Sequence, residues 1–247
     1  MQRDFSNLTI AIPVYERFDY FEEAVQSALD QVVPVKIIVV DNHSSHTRFK
    51  DYVDNLKNSL VTYHCNEENV GMVENWNKCI DYCETDWLTI LHDDDLLSPV
   101  YTKVIIDLMQ QRPGALAYLS NYEIGEHPKK IYNITNTTIG RTGTVKPFHF
   151  LFGTITAFPG VTFNKKLLKG IRFNKDLYPI GDYEFWYNIN LRGPIIFADK
   201  ILAFYRLSAI QTTTTVYKDI IEKSYRLRHD VIPVSYTHLT LPTNREV

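Results

Sequence analysis

The chain has 247 residues, enough to bury a full core in one α/β unit, and its 26 Lys+Arg against 29 Asp+Glu, with no long block of one sign, leave no electrostatic footprint for non-specific nucleic-acid binding. Its three cysteines, Cys65, Cys79 and Cys83, form neither a CxxC pair nor an even-numbered framework, which points to a reducing, cytoplasmic setting. The N-terminus lacks the charged-then-apolar pattern of a signal peptide and no apolar run reaches transmembrane length, so the expectation is a soluble protein, at most peripheral at the inner face of a membrane.

In chain order, Leu8 to Val14 reads as a first strand. Tyr20, Phe21, Ala24, Val25, Ala28 and Leu29 recur at helical spacing, and Val35 to Val40 is an apolar run of the kind a buried parallel strand shows, which makes one βαβ unit. A helix around Phe49 to Leu56, a strand at Leu60 to Cys65, a helix at Val73 to Cys83 and a strand at Trp87 to Leu91 continue the alternation. An amphipathic helix follows Pro99, Pro113-Gly114 breaks it, and Ala115 to Tyr122 reads as a strand. Residues 124–146 are rich in Gly, Thr, Asn and Lys and suit irregular or antiparallel structure. A strand at Gly160 to Phe163, a helix opened by Asp182, two strands at Ile195 to Ala198 and Leu202 to Tyr205, and a last helix from about Tyr217 complete the pattern. The expected fold is α/β, a mostly parallel Rossmann-like sheet flanked by helices, with a smaller mixed or antiparallel half. Residues 1–234 are expected to form a single domain, with one half at 1–122 and the other at 123–234. The segment 235–247 follows a helix abruptly, has neither period, and reads as a non-native tail.

Ligands of open α/β sheets bind beyond the carboxyl ends of the strands. Three polar clusters stand there: Pro13-Val14-Tyr15-Glu16-Arg17, Asp41-Asn42-His43-Ser44-Ser45 and His92-Asp93-Asp94-Asp95. Asp41 and Ser44 have two open readings, turn and cap chemistry or a grip on a ribose or base, with Tyr15 as an aromatic wall. Three adjacent carboxylates beside a buried strand repel one another and call for a cation; hard oxygen ligands suit Mn²⁺ or Mg²⁺, held by one or two carboxylates with a diphosphate. A helix cap is the structural alternative, and His92 is a further ligand or a packing residue. Asn69-Val70-Gly71 places a glycine turn before a helix, so that Asn75 or Asn77 has two open readings, facing the site or structural capping, while Trp76, Cys79, Ile80 and Cys83 share a core face. Asp182, read as an N-cap, is a candidate general base, Arg206 a candidate diphosphate partner, and Thr212 to Thr215 a candidate lid.

Taken in order, Thr9-Ile10-Ala11-Ile12-Pro13-Val14-Tyr15, Ile38 to Ser45, Asn69-Val70-Gly71 through Asn75, Leu91 to Asp95, Gly181 to Trp186 and Tyr205-Arg206 resemble the blocks of family 2 glycosyltransferases of the GT-A fold. The resemblance departs at Glu16, where the family often has Asn, at His92, where the metal motif commonly begins with Asp, and at Gly181, which replaces a frequent acidic neighbour. It implies an inverting transfer from a nucleotide-sugar, a UDP- or dTDP-sugar, to a glycan or lipid-linked acceptor in bacterial surface-polysaccharide assembly. The roles it implies are Asp182 as catalytic base, Asp94 and Asp95 at the metal, and Pro13, Tyr15, Glu16, Arg17, Asp41, Ser44, Asn69, Asn75, Asp93 and Arg206 around the nucleotide-sugar. A nucleotidyltransferase would show a Gly-rich basic phosphate loop near the first strand, absent from this sequence; a non-catalytic binding module would not need Asp182.

Overall fold

The computed structural model describes residues 7–152, 156–207 and 217–227, together with residue 229. The Thr212–Thr215 stretch and the segment from Ser235 lie outside the described residues. Strands β1 (Leu8–Val14), β2 (Lys36–Asp41), β3 (Val61–Cys65) and β4 (Trp87–Ile90) are parallel and alternate with helices α1 (Phe21–Leu29), α2 (Arg48–Leu56) and α3 (Met72–Tyr82). The chain continues through β5 (Leu96–Leu97), α4 (Tyr101–Gln111), β6 (Ala117–Gly125), β7 (Thr142–Val145), β8 (Val161–Asn164), α5 (Gly181–Arg192), β9 (Ile195–Arg206) and α6 (Tyr217–Arg226). All strands join one sheet in the order β3-β2-β1-β4-β8-β6-β9-β5, with β7 alongside β9. β8 runs antiparallel between β4 and β6, and β6 pairs parallel with β9.

Both faces of the sheet are covered, which is why its early strands read as apolar throughout. Strand alternation sends Ile10, Ile12, Ile37 and Val39 to a core with α1, α2 and α4, and Ala11, Ile38 and Val40 to a second core with α3 and α5. Pro13 sits in a central strand without penalty because β4 ends two residues earlier: Ala11 pairs with Ile90, and its carbonyl takes the Leu91 N–H at 2.9 Å. The missing N–H of Pro13 would have pointed past that end. The gap between β1 and β4 is where the sheet opens.

Three elements differ from expectation. β5 has two residues, too few for any period to register. The two strands expected over 195–205 are one strand, β9, whose partner β6 shifts register at Ser120/Asn121 and Asn121/Tyr122; the polar pair Asp199-Lys200 that resembles a turn lies inside it. Helix α5 starts at Gly181 with Ile180 at the cap position and no capping side chain, so Asp182 stands in the first turn and is not the N-cap.

An aromatic seam joins the two halves beneath the open edge. Phe173 stacks on Phe185 of α5 at 3.8 Å between ring centroids, and Phe158 lies 4.7 Å from Trp76 of α3 and 5.6 Å from Phe173. Asn77, expected as a site candidate, instead pins this seam, exchanging hydrogen bonds with the Phe173 backbone at 2.9 and 3.1 Å. Phe173→Ala removes the central ring, and a loss of about 3–5 kcal/mol is expected in urea unfolding.

Candidate functional site

At the carboxyl ends of β1, β2 and β4 lies a cavity of about 1030 Å³. Of the residues singled out in the sequence, Pro13, Tyr15, Arg17, Asn69, Asn75, Asp93, Asp94 and Asp182 line it. Glu16, Asp41, Ser44, Asp95 and Arg206 do not. His92, Asn42, Tyr122, Ile124, Lys175, Tyr178, Tyr205 and Ser224 complete much of the wall.

The excluded residues build the loops that the lining residues stand on. Asp41 is buried and its carboxylate is fully engaged: one oxygen accepts from the Ser44 N–H at 2.9 Å and the Ser44 hydroxyl at 2.6 Å, the other from Tyr63 at 2.6 Å. This is the Asx-turn alternative realised. Glu16 has φ of 56°, the left-handed region that Asn tolerates better than Glu. Its carboxylate accepts from the Ser45 N–H at 2.8 Å and the Ser45 hydroxyl at 2.9 Å, an arrangement that lowers its pKa and ties the β1 loop to the β2 loop.

The asparagines form a lattice. Asn42 donates to Asn69 at 2.7 Å and accepts from Asn66 and the Val70 N–H; Asn66 also donates to Asn75 at 2.9 Å, and Asn75 donates to the Val40 carbonyl at 3.0 Å. Gly71, at φ 85°, opens α3 in a conformation a side chain would resist, although open space surrounds the position. Together they fix the cavity face of α3.

The acidic run carries the strongest electrostatics. Arg17 donates through Nη2 to Asp93 Oδ1 at 2.7 Å and to Asp94 Oδ2 at 2.8 Å. Burial raises Asp93 to about 6 against the pull of Arg17. Burial alone would lower the Arg17 pKa, but the facing carboxylates outweigh it and the pKa is raised. Asp95 is fully buried; Oδ1 accepts the Arg206 N–H at 2.9 Å, and burial, then repulsion from Asp94, raises it well above the carboxylate range. Arg206 lies beneath this turn, not in the cavity. Its Nε donates to the Asp94 carbonyl at 2.8 Å, Nη2 to Glu23 at 2.8 Å, and the guanidinium lies 4.1 Å over the Tyr20 ring.

His92 is packed between Phe158 at 4.4 Å and Trp76 at 5.5 Å, and burial lowers its pKa to about 4. It is neutral at pH 7, so its 3.8 Å approach to Asp95 is no ion pair. His92, Asp94 and Asp95 offer ligand atoms within 4.8 Å of one another, and His92 Nε2 and Asp95 Oδ2 are buried without a hydrogen-bond partner. That donor set, two carboxylates and a neutral imidazole, fits a divalent cation.

Asp182 reaches the same cavity from α5, and burial raises its pKa to about 6. Tyr183, beside it, donates to the Phe150 carbonyl and fixes the helix start. The arrangement therefore brings an acidic turn whose donor atoms suit a cation and a separate half-buried carboxylate to one cavity, over an asparagine-braced helix.

Residues 9–175 match the family described as Glycosyl transferase family 2. The chain belongs to that family. It is 24% identical over 205 residues, 81% of this chain and 64% of the relative, to the GalNAc(5)-diNAcBac-PP-undecaprenol beta-1,3-glucosyltransferase of Campylobacter jejuni. Among solved structures it resembles S. aureus TarS 1-349 in complex with UDP-GlcNAc, with a TM-score of 0.74 and 17% identity over 95% of this chain and 68% of that one. It also resembles the mannosyltransferase PcManGT of Pyrobaculum calidifontis in complex with GDP-Man and Mn²⁺, with a TM-score of 0.64 and 15% identity over 94% and 72%. These likenesses establish the GT-A architecture. The chain spans 33 to 70% of the lengths of the curated relatives it matches. Among the described residues no helix is long and apolar enough to cross a membrane.

Tyr122 and Ile124 of β6, Ser224 of α6, and Lys175 went unnoticed in the sequence because no readable motif surrounds them; only the fold gathers them. Arg206 had the opposite fate, since a strand-end arginine reads the same whether it faces a ligand or the protein. Replacing it tests the buried role: Arg206→Gln should lower stability by roughly 1–3 kcal/mol. Glu23→Gln, at the solvent end of the same pair, should change it by less than about 1 kcal/mol. Urea denaturation of both variants makes the comparison.

Proposed function

We propose that the protein is a metal-dependent, inverting glycosyltransferase that moves a sugar from a UDP- or dTDP-sugar to a hydroxyl of a glycan or lipid-linked acceptor. Its setting is bacterial surface-polysaccharide assembly, at the cytoplasmic face of the membrane. The observation that carries this reading is that Asp94 and Asp182, from different halves of the sheet, line one cavity of nucleotide-sugar size. Family membership supports the transfer chemistry, and relatives whose descriptions include UDP-GlcNAc, GDP-Man with Mn²⁺ and an undecaprenol-linked glycan support the donor, cation and acceptor classes.

In this proposal the nucleoside lies along Pro13, Tyr15 and the Asn69–Asn75 face of α3. Asp94 and Asp95, with His92, hold Mn²⁺ or Mg²⁺, which when bound offsets the charge that grows on the departing diphosphate. Asp93 and Arg17 stand beside it. Asp182 takes the acceptor proton as the hydroxyl oxygen attacks the anomeric carbon from the face opposite the leaving group. A carboxylate near 6 is ionised at pH 7 yet more basic than an exposed aspartate, which suits it to the step. Asp41, Ser44, Glu16 and Arg206 act through the loops they hold.

Nucleoside-diphosphate release from a panel of nucleotide-sugars with Mn²⁺ and an acceptor tests the reading; no turnover with nucleotide binding retained would favour a non-catalytic binding module. Asp94→Ala should abolish metal-dependent nucleotide binding, and equal donor affinity in variant and wild type would remove Asp94 from the metal. Asp182→Asn should keep donor binding and lose transfer by on the order of 10²-fold or more. In the wild type, transfer should rise with pH through about 6 and level off, because the base works only when ionised. The same shift has a stability consequence of opposite sense. A carboxyl whose folded pKa exceeds its unfolded value favours folding at low pH and loses that contribution as pH rises through 6. Asp182→Asn should therefore raise unfolding stability at pH 7.5 by roughly 1–3 kcal/mol, and do little at pH 4.

A further inference from the structure

Arg17 differs from Arg206 in how it is held. Arg206 is fixed through its backbone N–H, Nε, Nη1 and Nη2, with rings on Tyr20 and Phe204 beside it. Arg17 makes both of its ion pairs through one nitrogen, at the cavity wall, with 26% of its side chain exposed. Its main chain is constrained: the Arg17 N–H donates to the Tyr15 carbonyl at 2.6 Å, directly after the left-handed turn at Glu16 that Ser45 clamps. A rigid base thus carries a side chain that ends between two carboxylates, one of them the proposed metal ligand Asp94.

We propose that Arg17 is an exchangeable internal cation: it holds Asp93 and Asp94 in the metal-free protein, yields Asp94 when the divalent ion and nucleotide bind, and turns its guanidinium to the donor diphosphate. This rests on the metal-dependent donor binding proposed above. An ion held by Asp94 would stand beside the guanidinium that Asp94 already holds, and two cations sharing one carboxylate repel. The planar fork of an arginine matches a phosphate as well as a carboxylate, so a diphosphate arriving with the metal offers Arg17 a new partner as it leaves the old one. Two consequences follow. While Arg17 is latched, apparent metal affinity falls by the fraction of molecules in which Asp94 is open. Nucleotide then strengthens metal binding and metal strengthens nucleotide binding by the same factor.

Isothermal titration of Mn²⁺, with and without UDP or dTDP, into wild type, Arg17→Gln, Arg17→Lys and Asp94→Ala tests the exchange. Wild type should bind Mn²⁺ weakly alone and at least about fivefold more tightly with nucleotide. Arg17→Gln should bind Mn²⁺ alone at least about fivefold more tightly than wild type, with a smaller further gain from nucleotide. Arg17→Lys keeps the charge but loses the planar bridge, and should also bind Mn²⁺ alone more tightly than wild type. Equal Mn²⁺ affinity in wild type and Arg17→Gln, with binding lost in Asp94→Ala, would overturn the exchange and leave the metal reading standing. A gain in Arg17→Gln without one in Arg17→Lys would also overturn it, because net charge alone explains that pattern. No Mn²⁺ binding by wild type or any Arg17 variant, with or without nucleotide, would overturn both the exchange and the metal-dependent reading.

Discussion

Adjacent carboxylates at the end of a buried strand are electrostatically untenable without positive charge, and much of the open sheet edge is organised around supplying it. Arg17 reaches Asp93 and Asp94 from the loop after β1, while Arg206, at the end of β9, takes the Asp94 carbonyl and gives its N–H to Asp95. The first contact is partly exposed and the second buried. The acidic turn is therefore held from beneath by a fixed cation and faced at the cavity by a more accessible one. Glu23 and Tyr20 extend the buried hold into α1, so the turn is a junction between the first βαβ unit and the last strand.

The same division of labour recurs around the cavity. Asp41 holds Ser44, Glu16 holds Ser45, and the asparagines hold one another and Val40. None of these contacts needs a ligand, and all of them fix loops that would otherwise diverge from the strand ends. A large cavity built on loops loses less entropy when a ligand binds if those loops are already ordered.

How much of this was legible depended on what each residue's surroundings demand. Parallel strands covered on both faces must be apolar along their length, so β1 to β4 could be placed from sequence, β1 with both of its ends. β5 could not, because its two residues carry no period and owe their extended form to pairing with β9. β9 looked divided because Asp199 and Lys200 are polar, yet Asp199 donates its N–H to the Arg141 carbonyl and accepts from Asn121, contacts invisible without the fold. The site shows the same limit. The acidic run announced itself through charge density, and Asp182 through its helix start. Whether Asp41 and Arg206 turned outward or inward was undetermined by spacing, and the structure turns both inward. The Ser44 position, three residues after Asp41, was the one local sign of an Asx turn.

The second half of the chain contributes burial as much as chemistry. Phe158, Phe173, Phe185 and Trp186 pack against one another beside the first turns of α5, and burial there lifts Asp182 to about 6. A more polar support would leave that carboxylate a weaker base; a tighter one would keep it protonated at neutral pH. The rings stabilise the joint between α3 and α5, while burial at the first turn of α5 destabilises the ionised state of Asp182. Natural sequences tolerate such local costs, and here the Tyr183 bond to the Phe150 carbonyl and the stacking of their rings hold the helix start that carries the buried carboxyl.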